Sequence, residues 1–167
     1  MEARVFIGVG SNIEPETQVP RALEALAREL ELVATSTFYW SAPEGRPEQP
    51  PFLNGVWEAR SDREPRELKF EVLRGVERAL GRRRSADRYA ARCIDLDLLL
   101  QGDRVVDEPD LVLPDPEIAT RAFLHVPLLE LAPELAARFG PAPDAAALEA
   151  HPSLTRELRE LLAAHAR

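Results

Sequence analysis

The sequence predicts an α+β domain in which helices pack on a mostly antiparallel sheet. Three observations lead there. Four short apolar runs have strand character, at 4–10, 33–41, 52–60 and 94–100. Two longer stretches, 17–30 and 64–80, repeat apolar residues at helical spacing. Their order is β-α-β-β-α-β, which is the ferredoxin-like split βαβ arrangement, with C-terminal helical additions after it. The 167 residues suit one domain, 1–167, with a substantial core.

The first strand carries Val5, Phe6, Ile7 and Val9, and Gly8, Gly10, Ser11 and Asn12 then supply a turn whose bare backbone can approach a ligand. A third glycine is missing, so this is not a dinucleotide fingerprint. In the first helix Val19, Leu23, Leu26 and Leu30 form the apolar stripe, with Pro20 in the first turn, where amide hydrogens lack helical partners. The second strand ends in Phe38, Tyr39 and Trp40, an aromatic cluster suited to core packing. Residues 42–51 hold Pro43, Gly45, Pro47, Pro50 and Pro51 and read as a loop, long for a hairpin connection and therefore a candidate for function.

Strand three resumes at Phe52, with Asn54 near its start. Glu64 and Pro65 open the second helix; Leu68, Val72, Val76 and Leu80 give its core face, and Gly81 stops it. After the fourth strand, Gly102 and Asp103 signal a hairpin into 104–107. Residues 123–131 read as an apolar helix on the sheet. A Pro/Ala loop at 140–147 precedes a last helix, capped by Ser153, with Leu154, Leu158 and Leu161 facing inward.

The formal net charge is −8, against the dominant basic face of a nucleic-acid binder. No apolar run approaches the ~20 residues that cross a bilayer, so no membrane role is expected. One cysteine, Cys93, cannot form an intramolecular disulfide, and the cytoplasm is the expected compartment. His125 has no Cys or His nearby in the sequence to share a metal.

Positive charge concentrates in one place. Residues 81–92 carry Arg82, Arg83, Arg84, Arg88 and Arg92 against Asp87 alone, a local net of +4. Directly after them Asp95 and Asp97 interrupt the apolar run Ile94, Leu96, Leu98, Leu99, Leu100. In a strand the side chains alternate, so Ile94, Leu96, Leu98 and Leu100 share one face and the two carboxylates the other, ~6.5 Å apart along the chain. Hard cations such as Mg²⁺ take carboxylate and phosphate oxygens, and arginine forks fit phosphate. The spacing alone leaves two readings open: a site for a phosphate chain with Mg²⁺, or a solvated basic loop before a half-buried strand. Like charges crowded into 82–92 with few apolar anchors also predict a loop that is mobile without ligand and closes on it.

The motifs, taken together and in order, resemble the 6-hydroxymethyl-7,8-dihydropterin pyrophosphokinase family of folate biosynthesis. They are Gly10-Ser11-Asn12; Phe38-Tyr39; Phe52-Leu53-Asn54; Gly81-Arg82; Arg92 with Asp95 and Asp97; Leu113-Pro114; Arg121 and Phe123; and Pro127 to Pro133. The resemblance covers roughly residues 5–135. It implies transfer of pyrophosphate from ATP to the hydroxymethyl group of the dihydropterin, with release of AMP, by a monomer. It implies that Asp95 and Asp97 hold two Mg²⁺ ions, that Arg82 and Arg92 clamp the phosphates, and that Arg84 and Arg88 support that clamp. Arg121 and the residue at Asp115 would lie near ATP. Asn54 would bond the pterin edge, Phe52 and Phe123 would stack on the ring, and Ser41 and Ala42 would offer backbone contacts. The chain carries Asp115 where the family most often has histidine, Phe52 for a common tyrosine, and Tyr89 for a common tryptophan. Two rival readings remain at this point: a sensing module that binds a phosphorylated metabolite without turnover, and a Mg²⁺-dependent nuclease, since paired carboxylates also serve phosphodiester cleavage.

Overall fold

In chain order the elements of the computed structural model are β1 (Ala3–Ser11), α1 (Pro15–Ala27), β2 (Glu31–Thr35), β3 (Tyr39–Ser41), β4 (Phe52–Ser61), α2 (Pro65–Glu67), a π-helical segment (Leu68–Leu73), α3 (Arg74–Ala79), β5 (Asp95–Gln101), β6 (Val106–Glu108), β7 (Leu111–Leu113), α4 (Ala122–Leu131), α5 (Ala136–Phe139), β8 (Glu149–Ala150) and α6 (Pro152–His165). The structure describes residues 2–43, 45–82 and 91–166.

β1 is the middle of the molecule. It pairs antiparallel with β4 on one side and β5 on the other, and the larger sheet runs β5-β1-β4-β3-β8 with β2 also on β4. All of its pairings are antiparallel. Strand alternation then assigns the faces. Val5, Ile7 and Val9 of β1, Leu53 and Trp57 of β4, and Leu96 and Leu98 of β5 join one apolar cluster with Val19, Leu23 and Leu26 of α1, Val76 of α3 and Leu154 and Leu158 of α6. Phe6, Val56, Leu99 and Leu100 point the other way and pack with Leu124 and Leu128 of α4. Because α4 covers only part of that second face, Gly8, Gly10, Asn54, Asp95 and Asp97 are left around an open cleft.

Several elements depart from the pattern read in the sequence. Gly8 and Gly10 do not turn the chain; they continue β1, paired with Asp97 and Asp95 of β5. Helix α1 starts earlier, with Pro15 in its first turn, so Pro20 lies inside it. The expected second strand is two strands. Between them Ser36 exchanges bonds with Val56 (Ser36 N to Val56 O and Val56 N to Ser36 Oγ, each 2.9 Å), and Phe38 drops onto Gly55, where a Cβ would stand 2.3 Å from its ring.

Helix two contains a π turn, which inserts a residue and steps the buried stripe from Leu68 and Val72 to Leu73, Val76 and Glu77, leaving Leu80 only half-buried. Leu100 does not share the face of Leu98, because the register shifts between Phe6 and Ile7, leaving Leu99 as an extra residue that reverses the alternation. β6 pairs with β7, not with β5, so Gly102, at φ +52°, closes a turn without forming the expected hairpin. The last helix is capped by His151, whose Nδ1 accepts from Leu154 N at 3.3 Å, rather than by Ser153; Leu161 is half-buried.

Candidate active site

A cleft of about 350 Å³ opens over the ends of β1, β4 and β5. Its floor is the backbone of Gly8 and Gly10. A Cβ on Gly10 would stand 2.8 Å from Asn54 Oδ1, and one on Gly8 3.0 Å from Leu124, so side chains here would crowd the residues that shape the cleft. Ten residues expected from the sequence line it: Ser41, Ala42, Phe52, Asn54, Arg82, Arg92, Asp95, Asp97, Arg121 and Phe123.

At one end the groups are neutral. Phe52 and Asn54 are two apart on β4 and therefore share a face. Asn54 is buried and its Nδ2 donates to Ser41 Oγ at 2.6 Å, which fixes its amide plane beside Gly10. Phe123 enters from the first turn of α4. A flat polar heterocycle fits such a place: ring faces for stacking and a fixed amide for its edge.

The other end is charged. Arg82 is inserted between two acids: its Nη1 donates to Glu77 Oε2 at 2.5 Å, to the Ile94 carbonyl oxygen at 3.3 Å and to Asp95 Oδ1. Arg92 Nη1 donates to Asp95 Oδ2 at 2.8 Å. Burial by itself would lower the Arg82 pKa, but Asp95 and Glu77 outweigh it and hold the guanidinium charged. Asp97 faces the cleft, and among the described residues it has no such close ion pair. Its side chain is exposed at the opening of the cleft, but the walls around it strip part of its hydration and Asp95, Asp115 and Glu77 repel it, so its carboxyl is raised above the usual range, with Arg82 opposing. A group that resists its own negative charge in this way is one that an added cation stabilises.

Asp95 and Asp97 therefore suit a hard divalent cation. Among the described residues no group of three or more His, Cys, Asp or Glu side chains could hold a metal, so two carboxylates would leave the remaining oxygen positions to phosphate and water.

Asp115, expected near the nucleotide, does not line the cleft. Its Oδ1 accepts from Glu117 N at 2.9 Å and caps the short 3₁₀ turn Pro116–Ala119. Burial raises its pKa and that backbone bond counters the rise. Arg104 forks onto Glu64, and Arg121 lies 4.0 Å from Glu117. Arg84 and Arg88, like the expected closing of their loop, lie outside the described residues. His125, which the sequence excludes as a metal site, is buried with Nε2 2.9 Å from Gly140 O.

Sequence reasoning missed two acids. Glu77 is buried, and its Oε2 also accepts from Leu96 N at 2.8 Å, locking α3 to β5 beneath the cleft. A carboxylate on the core side of a helix, five residues ahead of Arg82, was the available signal. Glu117 lines the cleft four residues before Arg121, a spacing that pairs charges within a helical turn.

Fold and cleft together describe an α+β protein with one cleft, neutral and aromatic at one end and lined by carboxylates and arginines at the other. Comparison with known proteins narrows this. Residues 6–133 match the family model described as 7,8-dihydro-6-hydroxymethylpterin-pyrophosphokinase (HPPK). The 2-amino-4-hydroxy-6-hydroxymethyldihydropteridine pyrophosphokinase of Pseudomonas aeruginosa is 41% identical over 138 residues, covering 81% of this chain and 84% of that one. The Haemophilus influenzae protein of the same name is 36% identical over 133 residues, covering 78% and 82%. In fold, the chain is similar to Plasmodium falciparum HPPK-DHPS at a TM-score of 0.58 and 11% identity, across 79% of this chain and 40% of that one. The chain belongs to the 7,8-dihydro-6-hydroxymethylpterin-pyrophosphokinase family.

Proposed function

We infer that the protein transfers a pyrophosphoryl group from ATP to the hydroxymethyl group of 6-hydroxymethyl-7,8-dihydropterin, within folate biosynthesis. A bond forms between the hydroxymethyl oxygen and the β-phosphorus of ATP. The bond from that phosphorus to the oxygen bridging it to the α-phosphate breaks, AMP leaves with the electron pair, and the hydroxyl proton is lost. The observation that carries this reading is that one cleft holds both Asn54, Phe52 and Phe123 and, beyond the glycine floor, Asp95, Asp97, Arg82 and Arg92. Such an arrangement supports binding acceptor and donor side by side, and reactions of this type depend on positioning and charge neutralisation.

In this reading Asn54 bonds the pterin edge, Phe52 and Phe123 stack on its ring, and Ser41 and Ala42 offer backbone. Arg82 and Arg92 hold the phosphate chain, Arg84 and Arg88 support them, and Arg121 lies near ATP; Asp115 acts on that region through the turn it caps. Asp95 and Asp97 hold Mg²⁺, two ions by family resemblance, which would neutralise phosphate oxygens when bound. The strand order β5-β1-β4, with β2 beyond, supports reading the core as the ferredoxin-like βαββαβ arrangement. The chain is taken as one domain, 1–167, acting as a cytoplasmic monomer; no described helix is long and apolar enough to cross a membrane.

The test is AMP release from MgATP with and without the dihydropterin. AMP should appear only when both are present, matched by pterin diphosphate, and should stop when EDTA removes divalent metal. AMP at the buffer rate under complete conditions overturns the reading and leaves a binding module. Persistence in EDTA overturns the metal assignment alone.

A further inference from the structure

We propose that Asn12 is a positioning residue that clasps the two walls of the cleft together, setting Arg92 on one side and the segment leading into Phe52 on the other. The proposal rests on the pyrophosphokinase reading above and assigns a new role within that site.

Asn12 follows the end of β1, is 2% exposed, and does not line the cleft. Its main chain and side chain grip one residue on the arginine side: Asn12 N donates to Arg92 O at 3.0 Å, and Arg92 N donates to Asn12 Oδ1 at 2.7 Å. The neighbouring Ser11 Oγ donates to Cys93 O at 2.6 Å. On the other side Asn12 Nδ2 donates to Gln49 Oε1 at 3.0 Å and to Pro50 O at 3.4 Å. The orientation of the amide is forced, because the Arg92 N–H requires an acceptor and the Pro50 carbonyl requires a donor. A short side chain that accepts on one side and donates on the other is asparagine; aspartate lacks the donor and alanine lacks both.

Each grip lies close in sequence to a cleft group. Arg92 presents its guanidinium to Asp95 at 2.8 Å, and Pro50 is two residues before Phe52. A buried amide that fixes both backbones sets the width of the cleft without touching its contents. A displacement of about 1 Å in such a place is enough to cost on the order of a hundredfold in rate.

Three variants separate positioning from simple structural support. Asn12→Ala removes both grips, Asn12→Asp keeps the acceptor for Arg92 N but opposes oxygen to Gln49 and Pro50, and Gln49→Ala removes one bond on the loop side. Amide exchange reads the clasp without turnover, directly at Arg92, whose N–H donates to Asn12 Oδ1, and through the order of the loop at Gln49, whose N–H donates to Arg46 O at 3.1 Å, and so stays informative if the wild type makes no AMP. Asn12→Ala should speed both amides together, and Gln49→Ala the Gln49 amide alone. Steady-state kinetics of folded protein should show kcat down by roughly tenfold or more and KM for the dihydropterin up in Asn12→Ala. Asn12→Asp should raise that KM with kcat within about threefold of wild type. If Asn12→Ala leaves either amide unchanged, the clasp is overturned. If folded Asn12→Ala, or Asn12→Asp should the alanine variant fail to fold, has wild-type kcat and KM and differs only in melting temperature, Asn12 is a structural pin and the proposal is overturned.

Discussion

The two ends of the cleft are held in opposite ways. At the charged end Arg82, Glu77, Asp95 and Arg92 hold one another through ion pairs, with Glu77 and Arg82 almost buried and Asp97 left facing the opening. At the neutral end Asn54 is fixed by one hydroxyl and by the absence of a side chain on Gly10. The charged end is therefore sensitive to charge and forgiving of shape, while the neutral end is the reverse. Each substitution below alters one property at one end.

The largest effect is expected at Glu77. It is a buried acid with two dependents, Arg82 and the Leu96 amide. Glu77→Ala leaves that amide unpaired and Arg82 with Asp95 as its remaining close acid among these bonds. Removing one partner of a buried pair costs about 3 kcal/mol or more. Urea unfolding should show that loss, and Glu77→Gln, which keeps an acceptor for the amide, should recover part of it. Equal losses for both variants would show that charge alone matters here.

Next comes Asp97→Asn. Removing a carboxylate from a cation site should lower turnover by about a hundredfold or more, ~2.7 kcal/mol of barrier. Loss of less than tenfold would end the metal assignment. Stability should move the other way. Because the folded pKa of Asp97 is raised, its charged form costs folding stability above the ordinary carboxylate range, and that cost vanishes once pH falls below it. In EDTA at neutral pH the variant should melt at or above the wild-type temperature, and the gap should close in acid. A variant that is both inactive and less stable would mean that Asp97 supports the fold instead.

Gly10→Ala probes shape at the neutral end. The new methyl would meet Asn54 Oδ1 at 2.8 Å and must push that amide off Ser41. Affinity for the dihydropterin should fall about tenfold, ~1.4 kcal/mol, while MgATP affinity holds. Calorimetry of both ligands decides it, and equal losses would erase the distinction between the two ends.

How far the site could be read from residues follows the same division. Asp95 and Asp97 were legible because strand alternation puts them on one face. Phe52, Asn54, Arg82, Arg92, Arg121 and Phe123 came with the motif order. What escaped depends on events that shift alternation or join distant segments. The extra residue at Leu99 leaves no mark in an unbroken leucine run, yet it moves Leu100 to the other face. The π turn redirects Glu77 inward with no proline or glycine inside Leu68–Leu73 to announce it. β8 is two residues whose pairing with Tyr39 and Trp40 exists only once α6 is docked, and His151 replaces Ser153 as cap because its own N–H is bonded to Phe38 O at 2.8 Å. Local chemistry was readable; long-range bonds were not.

The smallest effect is expected at Asp115, outside both ends. An aspartate aimed at a phosphate chain would be costly: at ~5 Å and an effective dielectric of about 20, two like unit charges repel by roughly 3 kcal/mol before screening. The structure lessens that conflict. Asp115 Oδ1 is occupied by Glu117 N, and the residue does not line the cleft. Its charge is felt at Asp97, but the turn it caps holds the carboxylate back from the cleft itself. Asp115→His should therefore shift the dissociation constant for MgATP by less than about tenfold, ~1.4 kcal/mol. The cost should fall on the turn that Asp115 caps, since losing a side-chain cap costs about 1 kcal/mol, and exchange at the Glu117 amide should quicken. A hundredfold tightening for MgATP with that amide unchanged would reverse the conclusion. It would mean that the carboxylate opposes the nucleotide directly, and that the charged end of the cleft extends as far as Asp115.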